Sequence, residues 1–500
     1  MNQFDWLKKW AEYNPGRSAI EEFESGRKFS YAEMNDFAVR VANMMVSKYN
    51  LSTGDRVAVL TENRAELVAL FGAAQKIGIT LVPLNFRLTS DELNFVLGNC
   101  ETSIVIYEEQ FLEKLNKTEV FPESEHKLNI DELFPESKKF SATLQGEYNF
   151  NEDHPVFILY TSGTTAFPKG AMYTHKMLFW NSINTEMRLE ITSADVSIDV
   201  APPFHTGFWN VLLTPFLHHG AETILMRKFN AEAIMKLIEE RKLSIWWAVP
   251  TMLKMMSDSP EFEKRDLSSI RYMVVGGESM PIPLIQTWHD KGVPIRQGYG
   301  LTEVGPNITS LSEVDAIRKQ GSIGTSNFYV ETSIVDEDGV AIGGEGQGEF
   351  LLRGPNVTPG YWKNPEATNE AITDGWFHTG DVVRRDSDGY YYVVDRIKNM
   401  YISGGENVYP AQVEYLLRKH EAIDDVVIIG VPDARWGESG KAFVVKKEGY
   451  TLTSEDVINH CTGKLAKYKI PKHVEFIEQL PKNDAGKIDR KSLKKRENES

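Results

Sequence analysis

Cysteine is almost missing from the 500 residues: only Cys100 and Cys461 occur, far apart in the chain. No disulfide framework and no cysteine-built zinc site can be assembled from them, and such scarcity fits a reducing compartment. Basic charge is also short, with 55 Lys and Arg against 71 Asp and Glu and a net charge of −16. A face for wrapping nucleic acid is therefore not expected. No run of 18 apolar residues exists; the best candidate, Leu67 to Leu84, is broken by Gln75 and Lys76, so no membrane span is expected. The opening residues Met1 to Trp6 lack the basic start and apolar core of a secretory signal. Internal repeats and low-complexity tracts are absent as well. Together these absences predict a soluble, cytoplasmic protein.

What is present is an ordinary globular balance, 41% hydrophobic and 25% charged, in a chain long enough for two to four domains or subdomains. From Arg56 to Tyr107 strand and helix patterns alternate: Val57–Leu60, an amphipathic stretch over Glu66–Lys76, then Thr80–Pro83. The rhythm resumes from Pro155 to about Tyr299, with strands expected at Val156–Tyr160, Ser197–Ala201, Thr223–Met226, Ser244–Val249 and Tyr272–Val275. This alternation predicts an α/β fold of parallel sheets covered by helices. Between 325 and 395 the pattern changes to short strands and Asp-Gly turns (Asp338-Gly339, Asp374-Gly375, Asp388-Gly389), which predicts an antiparallel β-rich subdomain.

A smaller α+β unit is expected after Lys398. It has a helix from Pro410 to about His420, strands at Val426–Gly430 and Ala442–Val445, a helix from Ser454 to about Lys467 and a strand at His473–Glu478. Residues 397–500 hold 18 Lys and Arg against 16 Asp and Glu, so the acidic excess lies wholly in the first 396 residues. We accordingly divide the chain into a large domain, 1–397, and a small one, 398–500, with the boundary at Lys398.

The most informative segment is Tyr160-Thr161-Ser162-Gly163-Thr164-Thr165-Ala166-Phe167-Pro168-Lys169-Gly170, which follows the apolar strand Val156–Leu159. Small residues, hydroxyls and one lysine after a strand let backbone N–H groups approach phosphate oxygens while a cation offsets their charge. It is not a Walker A loop, because Pro168 stands where that motif needs its second glycine. The segment resembles the signature loop of the adenylate-forming enzymes, which include acyl-CoA synthetases, luciferase-like enzymes and the adenylation domains of peptide synthetases. Ala166 departs from the family's usual glycine.

Further segments match the same family in the same order. The resemblance implies a large domain of parallel α/β sheets with a distorted β-barrel-like region, followed by a small, mobile C-terminal domain hinged at Lys398. It implies that Thr161, Ser162, Gly163, Thr164, Thr165 and Lys169 hold phosphate, with Thr161 also at the metal. In Ala201-Pro202-Pro203-Phe204-His205-Thr206-Gly207 it sets His205 beside the bound acid. In Val274-Val275-Gly276-Gly277-Glu278 it lays adenine against the Gly276–Glu278 backbone. In Gln297-Gly298-Tyr299-Gly300-Leu301-Thr302-Glu303 it makes Tyr299 a stacking face between Gly298 and Gly300. There Thr302 is a donor to the α-phosphate and Glu303 the ligand of Mg²⁺, a hard cation suited to oxygen donors. Asp381 and Arg396 are implied at the ribose. Ser403, Gly404, Gly405 and Glu406 border a pantetheine tunnel. Lys487, in the frame Pro481-Lys482-Asn483-Asp484-Ala485-Gly486-Lys487, is the implied catalytic lysine.

The implied cofactors and partners are ATP, Mg²⁺, CoA and a small-molecule carboxylic acid. Phe208, Trp209 and Val211-Leu212-Leu213 beside His205 are apolar, and no charge stands out to pair with an ammonium. A medium- or long-chain fatty acid is the expected substrate, with benzoate, coumarate or succinylbenzoate types as the alternative. Peripheral membrane contact and a homodimer stay open. Two competing readings are a carrier-protein-loading adenylation module and a nucleotide-binding sensor without catalysis. The first would need a carrier domain beyond Lys487, and the second is disfavoured by Lys487, Glu303 and Asp381 occurring together.

Overall fold

The alternating patterns become three sheets in the computed structural model, which describes residues 4–161, 168–278, 280–403, 406–465, 467–483 and 487–498. A six-stranded sheet is ordered Lys127–Asn129, Ile104–Tyr107, Arg56–Leu60, Thr80–Pro83, Pro155–Thr161 and Lys169–Thr174. All its pairings are parallel except the last, a hairpin. Its strands are apolar on both faces because both are covered: Val57, Val59 and Phe157 enter one core cluster, Ala58, Leu60 and Ile158 another. The helix Ala65–Ile77 packs there with every residue buried. Lys76, which interrupts the apolar run in sequence, is itself interior. Its Nζ donates to Asp5 Oδ1 at 2.6 Å and Asn35 Oδ1 at 2.8 Å, and burial lowers its ammonium pKa.

A five-stranded sheet runs Ile245–Ala248, Tyr272–Val275, Ile295–Leu301, Gly305–Ser310, Thr325–Ser326. Its first three strands are parallel and the rest antiparallel. A four-stranded sheet joins Val196–Asp199 and Glu222–Leu225 to Ser18–Glu22 and Lys28–Ser30. Residues 4–50, for which the sequence pattern gave no assignment, supply two helices and two strands. The helix Tyr31–Tyr49 carries a legible start signal in the Ser30–Glu33 capping box.

The 325–395 region is antiparallel, as its Asp-Gly pairs predict. Asp374 (φ 52°) and Gly375 (φ 77°) form the two-residue turn joining Thr373 to Trp376. The chain divides into two compact units, Met1–Thr332 with Leu352–His378, and Ser333–Leu351 with Thr379–Ser500. In the second unit a long hairpin, Ile423–Asp433 with Gly437–Lys446, forms the centre of a five-stranded sheet. Its alternate residues enter two cores, Val426 and Ile428 on one face, Val427 and Ile429 on the other. The helix expected to reach Lys467 stops at Cys461. Thr462 is already extended and Gly463 is left-handed (φ 75°).

Candidate active site

In the first unit the motif residues follow the carboxyl ends of strands. Thr161 and Lys169 pair across the hairpin, and Thr161 Oγ1 lies 3.4 Å from the Lys169 carbonyl. They flank Ser162, Gly163, Thr164, Thr165 and Ala166, which lie outside the described residues. The strand Tyr272–Val275 delivers Gly276, Gly277 (φ 84°) and Glu278 beside the strand carrying Gly298. A Cβ on Gly276 would sit 3.6 Å from the Gly298 carbonyl oxygen. Beyond Tyr299 the chain reverses tightly: Leu301 pairs with Gly305, leaving Thr302 and Glu303 at the tip. Gly300 is obligatory there, since a Cβ would fall 2.3 Å from the Gly305 carbonyl oxygen.

Glu303 is held from a segment the sequence motifs did not point to. Tyr361 Oη donates to Glu303 Oε1 at 3.0 Å, and Thr358 N donates to the Glu303 carbonyl at 2.7 Å. The Tyr361 ring also lies beneath the Lys169 ammonium, 5.3 Å from its centroid. Burial, and then the charge of Glu303, push the Tyr361 phenol well above its ordinary pKa, so it stays a donor. Three distant stretches thus meet: the hairpin mouth, the 302–303 tip and residues 358–361. The only sequence signal for this was the aromatic pair Tyr361-Trp362 after Gly360.

His205 follows the strand Val196–Asp199 through a turn in which His205 N donates to the Pro202 carbonyl at 3.1 Å. It is half-buried, its ring 4.5 Å from that of Phe204. Asp199 beneath this turn is buried and accepts from Ala201 N at 3.0 Å. Burial raises its carboxyl pKa well above the usual range. The helix after His205 contains a π-turn over Phe208–Leu213, an irregularity common at functional sites.

The second unit gathers the remaining described residues. Asp381 and Arg396 are register partners on neighbouring strands, and Arg396 Nε lies 2.8 Å from Asp381 Oδ1. Lys398 follows in a short 3₁₀ turn. Its ammonium pKa is lowered by burial and by Arg396, Lys491 and Lys487, with Asp381 opposing. These residues therefore form one electrostatic cluster. Lys487 is exposed, its backbone N donating to Asn483 Oδ1 at 3.0 Å. Ser403 pairs with Glu406, and Gly404 and Gly405 between them lie outside the described residues.

Two supporting acids were invisible as such in the sequence. Asp395 accepts from Ala411 N at 2.8 Å and Asn399 Nδ2 at 3.0 Å, tying the 397–399 turn to the next helix. Glu414, buried, accepts from Ile428 N at 2.7 Å and Arg490 Nη2 at 2.5 Å. Among the described residues no group of three or more His, Cys, Asp or Glu could hold a metal by itself, and no helix is long and apolar enough to cross a membrane.

Comparison with known proteins adds an independent line. The AMP-binding enzyme model matches residues 7–362, and the model of the AMP-binding enzyme C-terminal domain matches residues 412–487. A feruloyl-CoA synthase of an Amycolatopsis species is 35% identical, covering 98% of this chain and 98% of its own. A long-chain-fatty-acid–CoA ligase of Mycobacterium tuberculosis is 34% identical, covering 98% and 97%. The structure of the O-succinylbenzoate coenzyme A synthetase of Bacillus subtilis, in complex with ATP and magnesium ion, superposes with a TM-score of 0.88 at 30% identity. That match covers 98% of this chain and 99% of the other.

Proposed function

The chain belongs to the AMP-binding enzyme family, and from that premise we propose that it joins a carboxylic acid to coenzyme A through an acyl-adenylate, with ATP and Mg²⁺. Its relatives share acid–CoA ligation and differ in the acid. The reaction carries over from them; the acid does not. The observation that supports the reading best is the joining of Lys169, Tyr361 and Glu303 at the hairpin mouth.

A carboxylate resists attack by a thiol because oxide would have to leave. In the first half-reaction a carboxylate oxygen attacks the α-phosphorus of ATP, the bond to the bridging oxygen breaks and pyrophosphate departs. The second forms the thioester bond: the CoA sulfur attacks the acyl carbon, AMP leaves with the former carboxylate oxygen, and the thiol proton passes to solvent. The first step is positioning plus electrostatics.

Tyr361 holds one oxygen of Glu303 and leaves Oε2 to face a cation; with the Thr161 hydroxyl this is a hard-oxygen donor set. Mg²⁺ suits such hard oxygens and is commonly held by one or two carboxylates together with water and substrate phosphates. When bound there it would neutralise phosphate charge. Tyr299 and the Gly276–Glu278 backbone receive adenine, Thr302 donates to the α-phosphate, and His205 orients the acid. The phosphate-loop residues Ser162 to Thr165 and the Gly404–Gly405 turn keep the roles expected from the motifs. Asp381 accepts from the ribose hydroxyls while Arg396 restrains it. Lys487 supplies the cation for adenylate formation. The 398–500 segment then swings about Lys398 so that Ser403–Glu406 guides CoA.

Lys487→Ala tests this division of labour. Adenylate formation from acid and ATP should fall by at least about a thousandfold, while thioester formation from presynthesised acyl-adenylate and CoA should persist. Equal loss in both half-reactions would refute the two-stage scheme. Within the class, the expectation of a medium- or long-chain fatty acid competes with an aryl acid, and pyrophosphate release across a panel of both distinguishes them.

A further inference from the structure

Away from the motif residues, the first unit holds another concave and polar place. A cavity of about 410 Å³ lies where three strands from two sheets end. Ser18–Glu22 and Glu222–Leu225 are parallel neighbours in the four-stranded sheet, and Arg56–Leu60 belongs to the six-stranded one. Each delivers a wall at or just past its carboxyl end: Glu22 to Arg27 from the first, Arg227 from the second, Asn63 and Arg64 from the third. That is where α/β sheets place ligands, and the volume is that of a small-molecule site. No residue lining it is among those assigned above to ATP, Mg²⁺, the acid or CoA.

Hydrogen bonding separates the wall groups that are spent from those that are not. Glu22 accepts from Ala65 N at 2.8 Å, from Ser25 Oγ and from Arg27. Arg27 gives Nε to Glu22 Oε2 and Nη1 and Nη2 to Glu66, each at 2.8 Å. These side chains are closed on the protein. Arg64, 6% exposed, is not. Its Nε donates to Glu66 Oε2 at 2.9 Å and its Nη2 to Asp131 Oδ1 at 2.8 Å, while Nη1 is buried without a partner among the described residues. Arg227, half-buried, spends Nη1 on Glu108 Oε1 at 2.7 Å, which leaves Nε and Nη2. Asn63, 4% exposed, gives Nδ2 to the Ala201 carbonyl at 2.9 Å and the Met226 carbonyl at 3.0 Å. Carbonyls only accept, so the amide is fixed in orientation, and Oδ1 is left as a buried acceptor without a partner.

Two guanidinium donors and one amide acceptor are therefore unspent. A guanidinium matches the planar carboxylate group, and a buried polar atom without a partner costs free energy that a ligand recovers. Charge sets the limit. Arg27, Arg64 and Arg227 already face Glu22, Glu66, Asp131 and Glu108, and Glu24 stands on the wall too. A single negative charge fits there better than the near-double charge of a phosphate.

We propose that this cavity is a binding site, apart from the catalytic cleft, for a small monocarboxylate that carries a hydroxyl or ammonium donor beside its carboxyl group. Arg64 and Arg227 take the carboxylate, and Asn63 Oδ1 takes the donor. Asn63 also holds the Ala201 carbonyl, where the segment leading to His205 begins, so the occupant and the acid site share one side chain.

Calorimetric titration of the full-length protein without nucleotide tests this with L-lactate, L-alanine, propanoate and inorganic phosphate. Lactate, alanine or both should bind with a Kd of about 1 mM or tighter, and at least about tenfold more tightly than propanoate or phosphate. Lactate alone would name hydroxy acids as the source, alanine alone amino acids. Arg64→Gln and Arg227→Gln should each weaken that binding at least about tenfold. Amide exchange with the tighter of lactate and alanine should slow over 22–27 and 61–66. Propanoate or phosphate binding as tightly, an affinity unchanged in Arg227→Gln, slowing confined to 298–303, or no saturable binding of lactate or alanine below about 50 mM would each overturn the inference. None of these readouts needs turnover, so the ligase reading stands or falls separately. Arg227→Gln and amide exchange decide even where Arg64→Gln fails to fold.

Discussion

Glu303 would be one more surface carboxylate were it not for Tyr361. A phenol whose pKa is raised by burial and by the carboxylate it serves remains a donor throughout the working pH range. It therefore fixes Oε1 without competing for charge, and its ring gives the Lys169 ammonium a face to rest on. Removing the hydroxyl alone tests this. Tyr361→Phe should keep the fold, because the ring stays, yet lower kcat about tenfold and raise the Mg²⁺ concentration for half-maximal activity, as loss of a ligand's supporting hydrogen bond does. An unchanged Mg²⁺ titration would show that Glu303 needs no such restraint. Asp381 illustrates the same economy: its ion pair with Arg396 is built into strand register, so both side chains are positioned by backbone pairing.

At the level of elements, the last helix is held by an ion pair whose acid is buried and whose arginine is half-buried. Glu414 projects from the helix Pro410–Leu417 and meets Arg490, the first residue of the helix Arg490–Asn498. Burial raises the Glu414 pKa while Arg490 and then Arg418 oppose that rise. Breaking one partner of such a pair leaves an uncompensated charge. Glu414→Ala should destabilise the second unit by about 3 kcal/mol and loosen the segment bearing Lys487. The expected readout is faster amide exchange across 487–498, with slowed adenylate formation. Exchange there equal to wild type would remove Glu414 as the anchor. The π-turn is a second element-scale device, since it turns an ordinary helix into an acceptor surface for Asn181 and Asn307.

Across the whole molecule, one buried histidine, His175, and two half-buried ones, His218 and His219, are held neutral. Burial lowers His175 and His218 from 6.5 to about 3 and His219 to about 4. His175 is enclosed by the rings of Phe4 and Phe150, and His218 is stacked on Trp6. Below pH 6.5 the unfolded chain protonates these rings and the folded one does not. Their contribution to stability is thus complete above pH 6.5 and is lost as pH falls towards the folded values. Each fully buried ring contributes a slope of about 1.4 kcal/mol per pH unit. Urea midpoints should drop steadily between pH 6.5 and 4, and His175→Phe should flatten the dependence. A midpoint constant over that range would contradict it.

The sequence by itself determined the alternation of strands and helices, the antiparallel turns and the order of the motif segments. Each of these is local: a strand's period, an Asp-Gly turn or a phosphate loop is complete within a few residues. Most element ends fell within a few residues of the pattern, Tyr272–Val275 matching it fully and the Ser454 helix stopping early at Cys461. Only the tertiary structure decided which side chains stand behind the motifs. Tyr361 reaches Glu303 across 58 positions, Asn307 reaches Thr185 across 122 and Arg490 reaches Glu414 across 76. No local pattern encodes such partners, because a buried hydrogen bond is fixed by where sheets and helices pack, and the same Tyr, Asn or Glu would read as an ordinary surface residue without that packing.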